Sequence, residues 1–380
     1  MALNTLPNAG LTSRGYPSDR IVTPIIINGD MSIAQRGTSV TGVNTNNGFP
    51  TLDRFQIGFT SSGTYDMSQS TDVPSGKGFS SSLKIKCAST DTSIASGDEF
   101  IIQQRIEAQN LQYLKFGTSN AENLTLSFYA KAVNKTGTYC VHLQKNDSTS
   151  AYFYSEFSVT TSWQKFSISI PANSVVQSSG GAISNDNGIG IIVMFFLMNG
   201  SSTQGTDAKD QWSTTNHRTS SNQVNFLDST SNEFYLTGVQ MEVGEFDSTS
   251  VPSFPFESFE SNLRKCQRYY YKHMSGNGKN ICSGNYYDSG TFYGSLFFPV
   301  PMRASPTIEM VSGTDYYRLS TANSSNNGLV DDFNVGFIAF AGDGISIGLG
   351  VNSGLSGVGG YGATMSGNNS SAELAFGSEL

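Results

Sequence analysis

The chain has 380 residues, 14% of them charged and 12% aromatic, whereas an average globular protein carries roughly 25% charged residues. The many aromatic residues exclude an intrinsically disordered chain, which could not build a core. The formal net charge of −8 argues against nucleic-acid binding, which needs a clustered positive surface. Membrane insertion is not expected either, because the longest apolar stretch, residues 189–198, is far shorter than a bilayer span.

The N-terminus and the cysteines bear on the cellular compartment. Residues 1–15 lack a charged region followed by an apolar one, so no secretory signal is expected. No Cys-x-x-Cys pair occurs among the four cysteines, Cys87, Cys140, Cys266 and Cys282. Their spacing fits neither a zinc site nor a dense disulfide framework. We therefore expect free thiols in a protein made in a reducing cytoplasm, with no metal and no cofactor.

The first 25 residues form a separate segment. Residues 1–25 contain turn formers and almost no hydrophobic periodicity, so they cannot bury a core of their own. Two interpretations stay open: a frayed terminus, or an arm that becomes ordered only on a partner.

From Ile25 onward the sequence is typical of β-strands joined by Gly, Asn and Ser turns. Beyond a first strand at Ile25, strands are predicted over residues 99–107, 124–133, 136–145, 152–160, 162–170, 189–198 and 233–243. Apolar and polar side chains alternate within residues 124–133 and 136–145, which gives each strand one dry and one wet face. This pattern predicts an all-β fold built on an antiparallel β-sandwich.

One segment, residues 255–269, has helical periodicity, with apolar or aromatic residues at i, i+4, i+7 and i+11 from Phe259. We place a domain junction at this linking helix. It separates a sandwich over residues 26–254 from a smaller β-rich unit over residues 270–380. Within that unit, the glycine-rich residues 342–362 indicate either a close backbone approach or mobile loops.

Several segments, in this order, resemble virion structural proteins of bacteriophages, of the marine or cyanophage type and of the tail-fibre or head-fibre kind. They are MALNTLPNAG (1–10), INGDMSIAQRGTS (27–39), TLDRF (51–55), NLTLSFYAKA (123–132), GTYCVHL (137–143), TSWQKFSISIP (161–171), EFYLTGVQMEVGE (233–245), CQRYYYKH (266–273), FPVPMRASPTIE (298–309) and AELAFGSEL (372–380). The resemblance implies a β-jelly-roll like that of carbohydrate-binding modules, a virion location after synthesis in the host bacterial cytoplasm, and a homotrimer. It also implies that the N-terminal arm docks onto other virion proteins.

Modules that this region resembles often hold calcium through an acidic residue just after the NGD run and an Asp in the last strand. Here Met31 and Ser32 follow Asp30, and Leu236 and Thr237 occupy the centre of the last predicted strand. Calcium prefers several hard oxygen ligands, so the sequence predicts no calcium site of this kind.

The sequence assigns no catalytic residue. The three histidines, His142, His217 and His273, lie outside any nucleophile motif. The acidic residues are dispersed, whereas glycoside hydrolysis needs two carboxylates facing each other. We therefore expect no enzyme.

Glycan binding needs aromatic faces and hydrogen-bonding side chains, which the sequence offers on the wet strand faces and in the long polar loop 199–223. The candidate contacts to a glycan or a partner are Gln103, Arg105, Tyr129, Lys131, His142, Gln144, Tyr152, Tyr154, Trp212, His217 and Arg218. The alternative is that these residues form trimer contacts or a solvated sheet face. Trp163 opens a strand and is expected at the edge of the core.

Together these observations predict a tail-fibre or receptor-binding protein that attaches to host-surface glycans through many weak contacts. The alternative is a head-fibre or capsid decoration protein with a purely structural role. A glycan depolymerase is the third alternative.

Overall fold

The computed structural model describes residues 24–205, 209–322, 328–332, 339–340, 346–351 and 359–380. Its strands are β1 (Ser39–Val43), β2 (Gln56–Thr60), β3 (Thr64–Ser70), β4 (Ser82–Ser89), β5 (Glu99–Glu107), β6 (Leu124–Val133), β7 (Gly137–Lys145), β8 (Ala151–Val159), β9 (Gln164–Ile170), β10 (Ile189–Asn199), β11 (Glu233–Val243), β12 (Tyr270–Ser275), β13 (Asn280–Tyr286), β14 (Phe292–Phe297), β15 (Thr307–Val311), β16 (Tyr317–Thr321), β17 (Gly328–Val330), β18 (Ala339–Phe340), β19 (Ser346–Val351), β20 (Gly362–Gly367) and β21 (Glu373–Gly377). Its helices are α1 (Ser174–Gln177), α2 (Phe259–Gln267) and the 3-10 helices Ala108–Leu114, Ser179–Gly181, Ser201–Thr203 and Phe226–Asp228. Most of the predicted arm, 1–25, and much of the glycine-rich segment 342–362 lie outside the described residues.

The larger part of the fold is a β-sandwich of the jelly-roll type, which confirms the predicted fold class. One sheet has the strand order β1-β3-β4-β11-β6-β9 and the other β2-β5-β10-β7-β8, and neighbouring strands are antiparallel throughout. The inward faces of both sheets bury one continuous apolar core, which includes Phe100, Phe128, Tyr139 and Phe195. Alternation along each strand places every second side chain in this core.

The strand predictions for residues 99–107, 124–133 and 233–243 match β5, β6 and β11 residue for residue. The predicted strand at Ile25 is wrong, because the chain there bends, with Asn28 at φ 60. The Gln104 side chain takes the place of a partner strand: its amide accepts from Ile27 N at 2.8 Å and donates to Ile27 O at 2.9 Å.

The smaller unit contains a three-stranded sheet, β12-β21-β15, and a seven-stranded sheet, β17-β16-β20-β13-β14-β19-β18. It has its own apolar core, which includes Tyr286, Phe292, Tyr317 and Phe376. Among the described residues, no strand pairing connects these two sheets to those of the sandwich.

Helix α2 begins later than the predicted start at residue 255. The Ser258 hydroxyl accepts from Ser261 N at 3.2 Å and so caps the helix, as serine commonly does. The preceding Phe254 and Phe256 are not helical; their rings pack against Phe79 at 5.1 and 5.0 Å.

Three segments that carry the virion resemblance meet beside α2. Asn28 donates from Nδ2 to Asp53 O at 2.9 Å, and Asn262 Oδ1 accepts from Asn28 N at 3.2 Å. Gln35 donates from N to Asp53 Oδ1 at 2.8 Å and from Nε2 to Tyr270 O at 2.7 Å. These buried and partly buried polar contacts tie the sandwich to the first strand of the smaller unit.

The last three residues, 378–380, close the same junction. Arg303 donates from Nε to Ser378 O at 2.7 Å and from Nη2 to Glu379 O at 2.9 Å. Arg105 in β5 donates from Nη1 to Leu380 O at 2.7 Å. Carbonyl oxygens of the C-terminal segment therefore bind arginines from both parts of the molecule.

The four cysteines are buried and unpaired, which confirms the expectation of free thiols. Burial raises the pKa of the Cys87 and Cys140 thiols to about 11. In the part of the chain that the structure describes, no helix is both long and apolar enough to cross a membrane.

Candidate functional site

Six of the eleven candidate residues lie on the outer face of the five-stranded sheet, which we call the five-strand face. The strand register places Gln103, Met194, His142 and Tyr154 in one row across the sheet. Arg105, Ile192, Gln144 and Tyr152 form the next row. Alternation predicted that each of these side chains lies on the face of its strand away from the core, and the register shows that the six belong to one face.

The expectation that this face is exposed is wrong for three of them. Gln103, His142 and Tyr154 are buried, at 5%, 0% and 2% exposure. Gln103 donates to Gln56 Oε1 at 2.6 Å, and the Tyr154 hydroxyl donates to Gly205 O at 3.3 Å. The outer side chains Ile101, Cys140, Ile192, Met194 and Phe196 form a second buried apolar cluster around them.

The cover comes from the polar loop 199–223. Ser213 exchanges two backbone hydrogen bonds with Tyr152, at 2.8 and 2.9 Å, so the loop adds a bridge to the edge strand β8. Arg218 Nη1 forms an ion pair with Glu99 at 2.7 Å, which fastens the far end of the loop to β5. The loop shields the five-strand face, and its residues 206–208 lie outside the described chain.

His142 shows the electrostatic consequence of this cover. Burial, assisted by the charge of Arg218, lowers the pKa of its imidazole to about 3. The nearest rings are Tyr152 and Phe196, at 6.0 and 6.2 Å between centroids. A neutral imidazole packed between rings is a core residue, not a contact for an external ligand.

Trp212 is also not a surface aromatic. It is 2% exposed and belongs to the sandwich core, where its ring lies 5.9 Å from those of Phe116 and Phe153. Asn173 donates to Trp212 O at 2.7 Å and holds the loop at this point. The surrounding polar sequence suggested a contact surface, but the tryptophan instead anchors the loop in the core.

The remaining candidates on this side are partly exposed. Gln144 donates to Asn146 Oδ1 at 2.7 Å, and Tyr152 is half-buried beside the loop. His217 packs against Gly205, where an added Cβ would lie 2.3 Å from the imidazole Cγ. The contacts of Tyr152 and His217 serve the attachment of the loop, so the five-strand face offers little open surface.

Tyr129 and Lys131 lie on the outer face of the six-stranded sheet, which we call the six-strand face. Lys131 and Lys84 flank Tyr235 in the strand register. The Lys131 ammonium lies 4.6 Å from the Tyr235 ring centroid and 5.6 Å from that of Trp163. These cation–π contacts join Lys84, Tyr235, Lys131 and Trp163, which we call the tryptophan row.

Two carboxylates border the tryptophan row. Asp72 accepts from Trp163 Nε1 at 2.9 Å and forms an ion pair with Lys131. Partial burial raises the pKa of Asp72, but hydrogen bonds from Lys131 and Trp163 outweigh it and lower the pKa. Glu233 forms an ion pair with Lys84 at 2.7 Å and accepts from the Tyr235 hydroxyl at 2.7 Å.

An aromatic cluster continues the six-strand face beyond Tyr129. The ring of Phe79 lies 5.5 Å from Tyr129 and 5.0 Å from Phe256, which is 51% exposed. Phe79 and Tyr235 are themselves buried, at 8% and 5% exposure, so the accessible aromatic surface of the six-strand face consists of the partly exposed Trp163 and Tyr129 and the exposed Phe256.

Sequence reasoning missed Trp163 and Tyr235. Trp163 was expected at the core edge, but it is partly exposed. The alternation of side chains could have predicted this exposure. Trp163 is in phase with the partly exposed Lys165 and Ser167, whereas the intervening Phe166 packs on the core.

Among the described residues, no group of three or more His, Cys, Asp or Glu side chains is placed to hold a metal ion. Asp30, which ends the NGD run, accepts from the Ser32 hydroxyl at 3.0 Å and from Asn262 Nδ2 at 3.0 Å. Its carboxylate therefore serves the junction with α2.

No protein-family model matches the chain, and no curated protein matches its sequence. Among solved structures, a CBM4 module is 14% identical over 57% of this chain and 97% of its own, with a TM-score of 0.28. The family 11 carbohydrate-binding module from Clostridium thermocellum, in complex with a β-1,3-1,4-mixed-linked tetrasaccharide, is 10% identical over 55% of this chain and 96% of its own, with a TM-score of 0.28. The enzymatically active domain of tailspike protein 4 of bacteriophage CBA120 is 11% identical over 58% of this chain and 21% of that chain, with a TM-score of 0.29. Likenesses this distant carry no information on what this chain binds.

Proposed function

We propose that this chain is a non-enzymatic structural protein of a bacteriophage virion that attaches to host-surface glycans. The observation that carries the proposal is the tryptophan row, in which the partly exposed Trp163 is flanked by Lys131 and Asp72. The ordered motifs that resemble phage fibre proteins support the virion setting.

The row has the chemistry that a sugar ring requires. An indole face packs against the apolar face of a pyranose, and the neighbouring charged groups hydrogen-bond its hydroxyls. The Asp72 side chain is 43% exposed and Lys131 is 13% exposed, so the carboxylate is the more accessible partner. The hydrogen bond from Trp163 and the ion pair with Lys131, both to Asp72, hold these groups before any ligand arrives, which lowers the entropic cost of binding.

The charges of the row favour a neutral glycan. Lys84 and Lys131 are matched by Glu233 and Asp72 in ion pairs, so the row carries no net charge. A neutral hydroxyl-rich ligand can bind without breaking either ion pair.

A single open row of this size binds weakly, and attachment then depends on valency. We therefore include a homotrimer in the proposal, with residues 1–25 as the arm that docks onto the particle. Three rows on one fibre would raise the avidity without any new contact.

The test is binding of the labelled full-length protein to an array of bacterial glycans. We expect wild type to bind at least one neutral glycan and Trp163→Ala to lose at least tenfold in binding. Tyr287→Ala is the matched control, because Tyr287 is a 70% exposed aromatic of the smaller unit; its binding should equal wild type. Absence of binding to every glycan, or unchanged binding by Trp163→Ala, would contradict the proposal.

A structural decoration protein is the second candidate. The observation that favours it is the cover over the five-strand face, where His142 and Tyr154 are buried. Electron microscopy of particles labelled with a gold-tagged antibody separates the two: label at the tip of an appendage supports attachment, whereas label over the head supports decoration.

A further inference from the structure

A cavity of about 750 Å³ opens where the sandwich meets α2. The end of β5, the 3-10 helix Ala108–Leu114 and α2 form its walls. Its volume is in the range of small-ligand sites, roughly 300–1,000 Å³. The cavity lies on a different part of the molecule from the tryptophan row, since it shares none of its residues.

One side of this junction cavity is apolar and aromatic. Ile25, Ile27 and Tyr113 line it together with Tyr269. Burial and the charge of Glu242 raise the pKa of Tyr113 to about 12, so its hydroxyl stays protonated. This side can pack against the apolar face of a ring and still donate a hydrogen bond.

The other side is cationic. Arg105, Lys265 and Arg268 line it, and none of the described lining residues is Asp or Glu. Lys265 forms an ion pair with Glu257 and Arg268 with Glu107, both outside the lining, so the excess positive charge of this side comes from Arg105. The carboxylate that pairs with Arg268, Glu107, has a fully buried side chain and accepts from Arg268 Nε and Nη2 at 2.7 and 2.9 Å. Arg268 is thereby held rigidly by its Nε and Nη2 atoms.

The Glu107 carboxylate accepts hydrogen bonds from several side chains. Besides Arg268, it accepts from the Tyr269 hydroxyl at 2.5 Å and from Gln109. Burial raises the pKa of Glu107, but the hydrogen bonds from Arg268 and Tyr269 outweigh it and lower the pKa. The Glu107 carboxylate therefore stays ionised behind the cavity wall and fixes Arg268 in place.

We propose that the junction cavity binds an anionic sugar, a pyranose with a carboxylate or phosphate substituent. The anionic group meets the guanidinium groups and the ammonium, which are the usual partners of such oxyanions. The ring packs on the tyrosine and isoleucine side, and the exposed Asn110 on the 3-10 helix reaches its hydroxyls. This site is independent of the tryptophan row and takes an anionic rather than a neutral ligand.

The experiment is ligand-observed NMR and calorimetry on the full-length protein with three probes: glucuronate, glucose 6-phosphate and glucose. We expect at least one anionic probe to bind at least tenfold more tightly than glucose, and its affinity to fall as salt is raised. The difference between glucuronate and glucose 6-phosphate identifies the anionic group. Equal binding of glucose and both anionic probes, or no binding of any, would overturn the proposal.

Two variants locate the site. Asn110→Trp fills the mouth of the cavity from an exposed position and should weaken binding at least tenfold, and Lys265→Gln should weaken it severalfold. Trp163→Ala on the six-strand face should leave anion binding unchanged. Loss of anion binding in Trp163→Ala with retention in Asn110→Trp would assign the anion to the tryptophan row and overturn the inference, while a failed glycan array leaves this result unaffected.

Discussion

Arg54 and Glu379 form an ion pair across 325 positions of the chain, and their side chains are 2% and 11% exposed. The Arg54 guanidinium also lies 3.5 Å from the centroid of the Tyr269 ring. Its Nη2 donates to Arg105 O at 2.6 Å. One buried cation therefore links the start of the sandwich, the end of α2 and the C-terminal segment.

This relationship predicts how the junction responds to mutation. Arg54→Met leaves the nearly buried Glu379 carboxylate with Arg36, at 3.3 Å, as its remaining partner. The cost is therefore smaller than the roughly 3–5 kcal/mol for a buried charge with no partner and should be about 1–3 kcal/mol. We expect a loss of that size in the free energy of unfolding, measured by urea denaturation.

The double variant Arg54→Met/Glu379→Leu is the control. Because both charges are removed, it should recover most of the loss. A cost below about 1 kcal/mol for Arg54→Met alone would show that the pair behaves as an exposed surface ion pair.

The lowered pKa of His142 leads us to expect that stability depends on pH. Its pKa falls from 6.5 in the unfolded chain to about 3 in the fold, so only the unfolded chain takes up this proton between those values. Its contribution to stability is therefore lost as the pH falls from 6.5 towards 3, by up to about 1.4 kcal/mol per pH unit. His142→Leu removes this proton uptake, and urea denaturation at pH 7, 5 and 4 should show a smaller loss for the variant. Equal losses in both proteins would contradict the assignment.

Asp53 should affect the pH dependence of stability in the opposite direction from His142. Burial raises its pKa from 3.8 to about 6, although hydrogen bonds from Gln35 and the charge of Arg36 act against the shift and that of Glu379 adds to it. The folded protein takes up this proton between pH 6 and 3.8 before the unfolded chain does, so acidification through this range adds stability. Asp53→Asn should therefore lose more stability than wild type between pH 7 and 4 in the same measurement. A smaller loss of stability in the variant would show that acidification of Asp53 does not stabilise the fold.

The two tryptophans should differ in every property that depends on burial. Trp212→Ala removes a core side chain and should cost about 3–5 kcal/mol, whereas Trp163→Ala, at a partly exposed position, should cost clearly less. Iodide quenching of fluorescence checks the placement: Trp163 in a Trp212→Phe variant should be quenched strongly, and Trp212 in a Trp163→Phe variant weakly. Stronger quenching of Trp212 than of Trp163 would show that Trp212, and not Trp163, is the exposed tryptophan.

The strands could be predicted because side-chain alternation is local information. It located β5, β6 and β11, and it placed His142, Gln144 and Tyr154 on the same face. Whether that face meets solvent depends on what folds over it, and no local period encodes this.

The cover by residues 199–223 was therefore beyond sequence reasoning. Its attachment depends on pairs far apart in the chain, such as Arg218 with Glu99 and Tyr154 with Gly205. Trp212 was wrongly predicted as a surface contact for the same reason. Its neighbours in sequence are polar, whereas its neighbours in space, Phe116 and Phe153, are aromatic. The exposure of Trp163 could have been predicted, because Trp163 directly precedes β9 and is in phase with the outward-facing Lys165.

The proposed attachment depends on contact between Trp163 and the glycan. The most direct measurement is a fluorescence titration of the Trp212→Phe variant, in which Trp163 is the only indole, with the neutral glycan that binds most tightly on the array. We predict a saturating shift of Trp163 emission with the same Kd as binding measured by calorimetry, and no emission change in a Trp163→Phe variant. Calorimetric binding without any change in Trp163 emission would show that the glycan binds away from Trp163.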